Sequence, residues 1–207
     1  MDSKTFLADL IEIPGTSGYE EQIAKKVSQT FERYCDEVNI DPFFNVYGRK
    51  SAGGGPNRPK IMLAAHMDEI GLMVNGIDND GFITFTTIGG VDQRILLAQE
   101  VIVHGKKDLF GVIGAVPPHL QQPDEAKKAV KIKDMTIDVG MTGEKVKELV
   151  SVGDIITFKS PLVSMNGSYV NGKSLDDRAG VALMLEVMKE LDNLCYSADV
   201  YFVATVQ

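Results

Sequence analysis

Apolar side chains at Phe6, Leu7, Leu10 and Ile11 follow the three-and-four spacing of one helix face, and Pro14-Gly15 ends the pattern. Ser17 stands three residues ahead of Glu20, the spacing of a capping box, and Ile23, Val27 and Phe31 then recur every fourth position. A second helix is expected there. A polar stretch from Lys50 to Lys60, containing Gly53-Gly54-Gly55-Pro56, leads into the continuous apolar run Ile61-Met62-Leu63-Ala64-Ala65. A short unbroken run of this kind predicts a strand buried on both faces of a helix-covered sheet, with His66 at its end.

From about Gly71 to Leu162 the pattern changes to short strand-like runs between turn residues, at Gly71 to Val74, Phe82 to Thr86, Val101 to Val103, Val112 to Ile113 and Ile155 to Phe158. Asn79-Asp80-Gly81 predicts a hairpin turn, and Asp138-Val139-Gly140 precedes a short helix around Glu144 to Val150. Helical spacing returns with Val181, Met184, Leu185 and Met188, and Val200 to Val206 reads as a buried strand. The middle segment lacks the helices that a parallel-type sheet needs on its faces. The expected organisation is therefore an α/β domain over 1–70 and 166–207, split by a β-rich insert over 71–165.

Charge and cysteine content narrow the function classes. The formal net charge is −8, and acidic and basic residues are interspersed, which argues against nucleic acid or an anionic membrane as partner. Cys35 and Cys195 are too few and too isolated for a disulfide framework or a thiolate zinc knot, so a reducing cytoplasmic setting is expected. The N-terminus has no pattern of a secretion signal, and the apolar runs are far shorter than the roughly 20 residues of a membrane-spanning helix.

Two constellations can carry chemistry. His66-Met67-Asp68-Glu69 puts an imidazole and two carboxylates at the carboxyl end of a predicted strand, where open α/β sheets bind ligands. Alternation along an extended segment aims His66 and Asp68 to one side, the pairing by which a carboxylate fixes a metal-binding imidazole. Far downstream, Gly172-Lys173-Ser174-Leu175-Asp176-Asp177-Arg178-Ala179-Gly180 sets two adjacent acids at a helix start. Either acid could simply cap that helix, and His66 alone could be structural. Together they could converge on a divalent ion, since zinc accepts nitrogen and oxygen ligands.

With these residues in view, the sequence resembles the glutamyl and deblocking aminopeptidases of metallopeptidase family forty-two, which form tetrahedral particles and include members labelled endoglucanases. Ile13-Pro14-Gly15-Thr16-Ser17-Gly18-Tyr19-Glu20, Ile88-Gly89-Gly90, Pro117-Pro118-His119-Leu120, Asp138-Val139-Gly140 and Val152-Gly153-Asp154 are similar to family landmarks, in family order. The resemblance implies a three-layer peptidase domain of the zinc-exopeptidase type interrupted by a barrel-like insert. It implies two divalent metal ions, zinc or cobalt, with His66 binding one, Asp176 bridging both, and Asp68 a catalytic residue orienting His66. Asp177 would follow Asp176 through a cis peptide, and Glu69 and His119 would be active-site neighbours. The implied substrates are peptides, losing their N-terminal residue to metal-activated water, in a homo-oligomer assembled through the insert.

In the family, the strand corresponding to Val200 to Gln207 continues into two adjacent glutamates, a general base and a metal ligand, followed later by an aspartate and a histidine. None of these has a counterpart in the 207 residues. Two further readings follow. The polypeptide could be an inactive fragment that serves as an assembly module, which need not bind metal. A glycosidase, the reading behind the endoglucanase label, needs two carboxylates flanking a sugar bond, whereas adjacent Asp68 and Glu69 point to opposite sides of an extended segment.

Overall fold

The computed structural model describes residues 2–53, 57–117 and 129–206. In chain order the elements are α1 (Ser3–Glu12), α2 (Glu21–Phe31), β1 (Glu37–Ile40), β2 (Val46–Lys50), β3 (Lys60–His66), β4 (Gly71–Ile77), β5 (Ile83–Ile88), β6 (Glu100–His104), β7 (Asp108–Ala115), β8 (Met135–Asp138), α3 (Gly143–Leu149), β9 (Ile155–Phe158), β10 (Val163–Ser164), β11 (Val170–Asn171), α4 (Leu175–Asp192) and β12 (Asp199–Thr205). They form two compact units, Met1–Glu69 with Pro161–Gln207, and Ile70–Ser160.

The first unit is built on a mixed sheet of order β1-β2-β12-β3. Strand β12 runs antiparallel to β2 and parallel to β3, with Thr205 opposite His66. The apolar stripes of the helices meet the sheet in one core. Phe6, Leu10 and Ile11 of α1, Ile23, Val27 and Phe31 of α2, and Val181, Leu185 and Met188 of α4 pack with Val46, Phe202 and Ala204. This registers the end of β3 against the start of α4, because α4 packs directly on β3.

Two sequence expectations need correction here. Strand β3 is not buried on both faces: it lies at the sheet edge, Ala65 is buried, and Ile61 and Met62 are exposed. Edge position removes the neighbour that would cover them, which a linear apolar run does not reveal. The capping box also does not form. Helix α2 has Glu20 at its N-cap position with no side-chain cap, while Ser17 Oγ donates to Asp68 at 2.7 Å and Glu20 Oε1 accepts from Gly18 N–H at 2.8 Å. A carboxylate brought in by the tertiary fold outcompetes the local backbone for the Ser17 hydroxyl.

The second unit is a closed barrel of order β4-β5-β8-β7-β6-β9. Side chains alternate most clearly along β7, where Leu109 and Ile113 are buried while Phe110 and Val112 are exposed. The inward set, including Leu72, Val74, Ile83, Val101, Val103, Ile137 and Ile156, fills the interior. Closure leaves no unpaired sheet edge, so short strands suffice. At the β4–β5 turn, Asp78 Oδ1 accepts from the N–H groups of Asp80, Gly81 and Phe82 at 2.8–2.9 Å. Gly81 is required there, since its φ is +101° and a Cβ would lie 2.2 Å from the Met141 carbonyl oxygen. Among the described residues no helix is long and apolar enough to cross a membrane.

Candidate metal site and its supporting network

The site lies within the first unit, at the carboxyl end of β3. Beyond His66 the chain stays extended: Met67 N–H donates to the Thr205 carbonyl at 2.9 Å, and Glu69 N–H donates to the Gly15 carbonyl at 2.9 Å. These bonds hold three successive side chains in alternating directions. His66 Nδ1 lies 3.1 Å from Asp68 Oδ1, and Asp68 Oδ2 accepts from Ser17 Oγ. Both oxygens of that nearly buried carboxylate are thus engaged. Glu69 points the opposite way, into the protein.

The two acids at the start of α4 divide their roles. Backbone angles at Asp176 and Asp177 are non-helical and the peptide bond between them is cis, as the resemblance implies. Asp177 is the capping residue, its Oδ1 accepting from Gly180 N–H at 3.0 Å. Asp176 is free of that duty. Its side chain is 98% exposed and Oδ1 stands 3.2 Å from His66 Nε2. Gly180 permits the close approach of α4 to β3, since a Cβ there would lie 2.5 Å from Asp177 Oδ1 and 2.8 Å from Ala65 Cβ.

His66 and Asp176 fit a shared divalent ion. Zinc binds nitrogen and oxygen ligands at about 2.0–2.2 Å in a tetrahedron, whose edge is then about 3.3 Å. The observed separation of 3.2 Å matches one such edge. These residues supply part of a coordination shell: among the described residues no group of three or more histidine, cysteine, aspartate or glutamate side chains could hold a metal ion. Asp68 stands behind the imidazole, where a ligand-orienting carboxylate belongs. His119 lies outside the described residues.

A buried ionic network supports both sides of the gap. Glu69 is 2% exposed; its Oε2 receives Lys173 Nζ at 2.5 Å and the hydroxyl of Ser174, and its Oε1 receives Gly15 N–H at 3.2 Å. Arg178 is fully buried, donating from Nε to the Met67 carbonyl at 2.9 Å and from Nη1 to the carbonyls of Leu10 and, at 2.8 Å, Ile13. Its Nη2 makes a 3.5 Å ion pair with Glu69 Oε1. Burial pulls the Lys173 ammonium and the Arg178 guanidinium below their ordinary values, and the Glu69 charge opposes that shift for both. Sequence reading missed Ser17, Lys173, Ser174 and Arg178. For Arg178 a signal existed, because it falls at i−3 and i−7 from Val181 and Leu185, on the buried stripe, where an arginine needs partners.

An α/β sheet with a histidine at the end of one strand near an aspartate at a helix start, interrupted in sequence by a closed β-barrel, is the fold this chain shares with solved TET aminopeptidases. The M42 glutamyl aminopeptidase pattern matches residues 45–207, and the chain belongs to that family. It is 36% identical over 204 residues to the lysyl aminopeptidase of Pyrococcus furiosus, covering 96% of this chain and 57% of that protein. The TET aminopeptidase of Thaumarchaeota archaeon SCGC AB-539-E09 is 36% identical and superimposes with a TM-score of 0.91 over 99% of this chain and 59% of its own. The TET1 peptidase of Pyrococcus horikoshii, described as assembling into a tetrahedron or a large octahedral shell, is 35% identical with a TM-score of 0.83, covering 99% and 61%. The chain therefore spans a little over half the length of the relatives it matches.

Proposed function

We propose that this chain contributes the His66–Asp176 part of the active site of a metal-dependent aminopeptidase acting on peptides. One observation carries the reading. If the Nδ1–H of His66 is donated to Asp68, its Nε2 lone pair faces an Asp176 oxygen across 3.2 Å, two acceptors with a cation-sized need between them. His66 and Asp176 would hold a divalent ion, Asp176 being the residue the family resemblance makes a bridge; Asp68 would hold the ring in the ligating tautomer, and Asp177 caps α4. A bound zinc or cobalt would supply Lewis acidity and lower the pKa of water for attack on the first peptide bond. The insert, proposed over 71–165, is the surface for homo-oligomer formation, supported by exposed Ile95, Phe110 and Val152 and by the assemblies described for the Pyrococcus horikoshii relative. The setting is a reducing one, consistent with the free thiols of Cys35 and Cys195.

The test is hydrolysis of aminoacyl-p-nitroanilides by the protein supplied with zinc, cobalt or manganese. Release of p-nitroaniline that falls at least about 100-fold in Asp176→Asn and in His66→Ala supports the proposal. Turnover unchanged by both substitutions contradicts it.

A further inference from the structure

Resting on that reading of the site, we infer that Glu69 and Arg178 form a positioning clamp that sets the spacing between His66 and Asp176, and that Glu69 is neither a metal ligand nor a proton-transfer group. The two candidate ligands sit on separate segments, the end of β3 and the start of α4. Arg178 joins them, because its guanidinium belongs to the α4 segment while its Nε donates to Met67, the residue after His66. Glu69 joins them again in the reverse sense. It belongs to the β3 segment, and its two oxygens receive Lys173 and Ser174 from just before Asp176 and pair with Arg178 just after it. Asp176 is thus bracketed on both flanks by groups anchored to one carboxylate.

The third anchor is the α1 end. Arg178 Nη1 takes the Leu10 and Ile13 carbonyls, and Gly15 N–H reaches Glu69, so the loop carrying Ser17 is fixed to the same hub. That loop supplies the hydroxyl on Asp68 behind His66. Gly15 itself has no space for a side chain, since a Cβ would lie 2.8 Å from Arg178 Nη2. Glu69 is closed to solvent, its Oε2 receives Lys173 and Ser174 and its Oε1 receives Gly15 N–H, and it points away from the side of the extended segment that carries His66 and Asp68. Such a clamp needs the planar fork of arginine, because one ammonium cannot address Met67, the Leu10 and Ile13 carbonyls and Glu69 together.

The experiment compares wild type, Arg178→Lys, Ser174→Ala and Asp176→Asn by two readouts. The first is the imidazole ¹H–¹⁵N spectrum of the metal-free chain, where His66 is assigned by its loss in His66→Ala. The second is cobalt affinity by competition with a chelator. The clamp predicts that Arg178→Lys moves the His66 ring signals toward their position in Asp176→Asn and weakens cobalt binding at least about tenfold, the usual scale for a group that orients a ligand. Ser174→Ala, which removes one donor without burying a new charge, moves both in the same direction by less, and it carries the test if Arg178→Lys does not fold. Unmoved His66 signals with only a lower melting temperature overturn the inference. His66 signals that move in Arg178→Lys and Ser174→Ala, while the wild type holds no cobalt, leave the clamp standing and remove the metal reading beneath it.

Discussion

Asp68 lies 3.1 Å from His66 Nδ1, on the far side of the ring from Asp176, and in the proposed site it fixes the tautomer that leaves Nε2 facing the gap. Asp68→Asn keeps the shape and removes the charge that favours an Nδ1–H donor, so metal affinity is expected to fall about 10–100-fold with little change in fold, measured by chelator competition. The two cysteines should separate by reactivity. Burial pushes the Cys35 thiol up to about 11, whereas Cys195 is exposed. At pH 8 only about one Cys35 in a thousand is thiolate. Native protein is expected to show one fast thiol toward a disulfide reagent and a second only after denaturation; two equally fast native thiols would contradict the partial burial and raised pKa of Cys35. At this scale the residue types alone left either acid free to cap α4, and only the family resemblance assigned the bridging role to Asp176. Asp176 and Asp177 are chemically identical neighbours, and only the non-helical turn before Arg178 decides which one caps and which faces His66.

Elements were legible wherever their own period decided their burial. The stripes of α1 and α4 depend on local geometry, and the side chains picked out by their period are the ones buried, whereas the runs of the insert gave strands without their faces, with Phe82 and Val112 exposed, and β8 was not expected. Features set by distant segments were not legible. Ser17 was diverted from α2 by Asp68, 51 residues away, and the bare side of β3 follows from its place at the sheet edge. Two predictions belong here. Gly81→Ala should destabilise the barrel by more than about 1 kcal/mol, because both its φ and the Met141 carbonyl forbid a side chain. Phe202, buried in β12 and edge-on to Phe31 at 6.4 Å, ties the sheet to α2. Phe202→Ala should cost about 3–5 kcal/mol in denaturant unfolding, and a loss below about 1 kcal/mol would mean that β12 is not central to the core.

For the whole molecule, the first unit carries the proposed chemistry and the barrel the proposed assembly surface. A net charge of −8 disfavours association through bulk electrostatics, so a specific apolar contact is required. Light scattering is expected to give a mass that is a multiple of the 22.6 kDa chain, reduced by Ile95→Glu combined with Val152→Glu. A monomeric wild type at micromolar concentration would contradict the assembly role. The account as a whole turns on whether His66 and Asp176, 110 residues apart in sequence, share a divalent ion. Equilibrium dialysis of the metal-free chain against zinc or cobalt measures this directly. The account predicts saturable binding that is weakened at least about tenfold by either His66→Ala or Asp176→Ala. Binding unaltered by both substitutions, or none in the wild type, would contradict it.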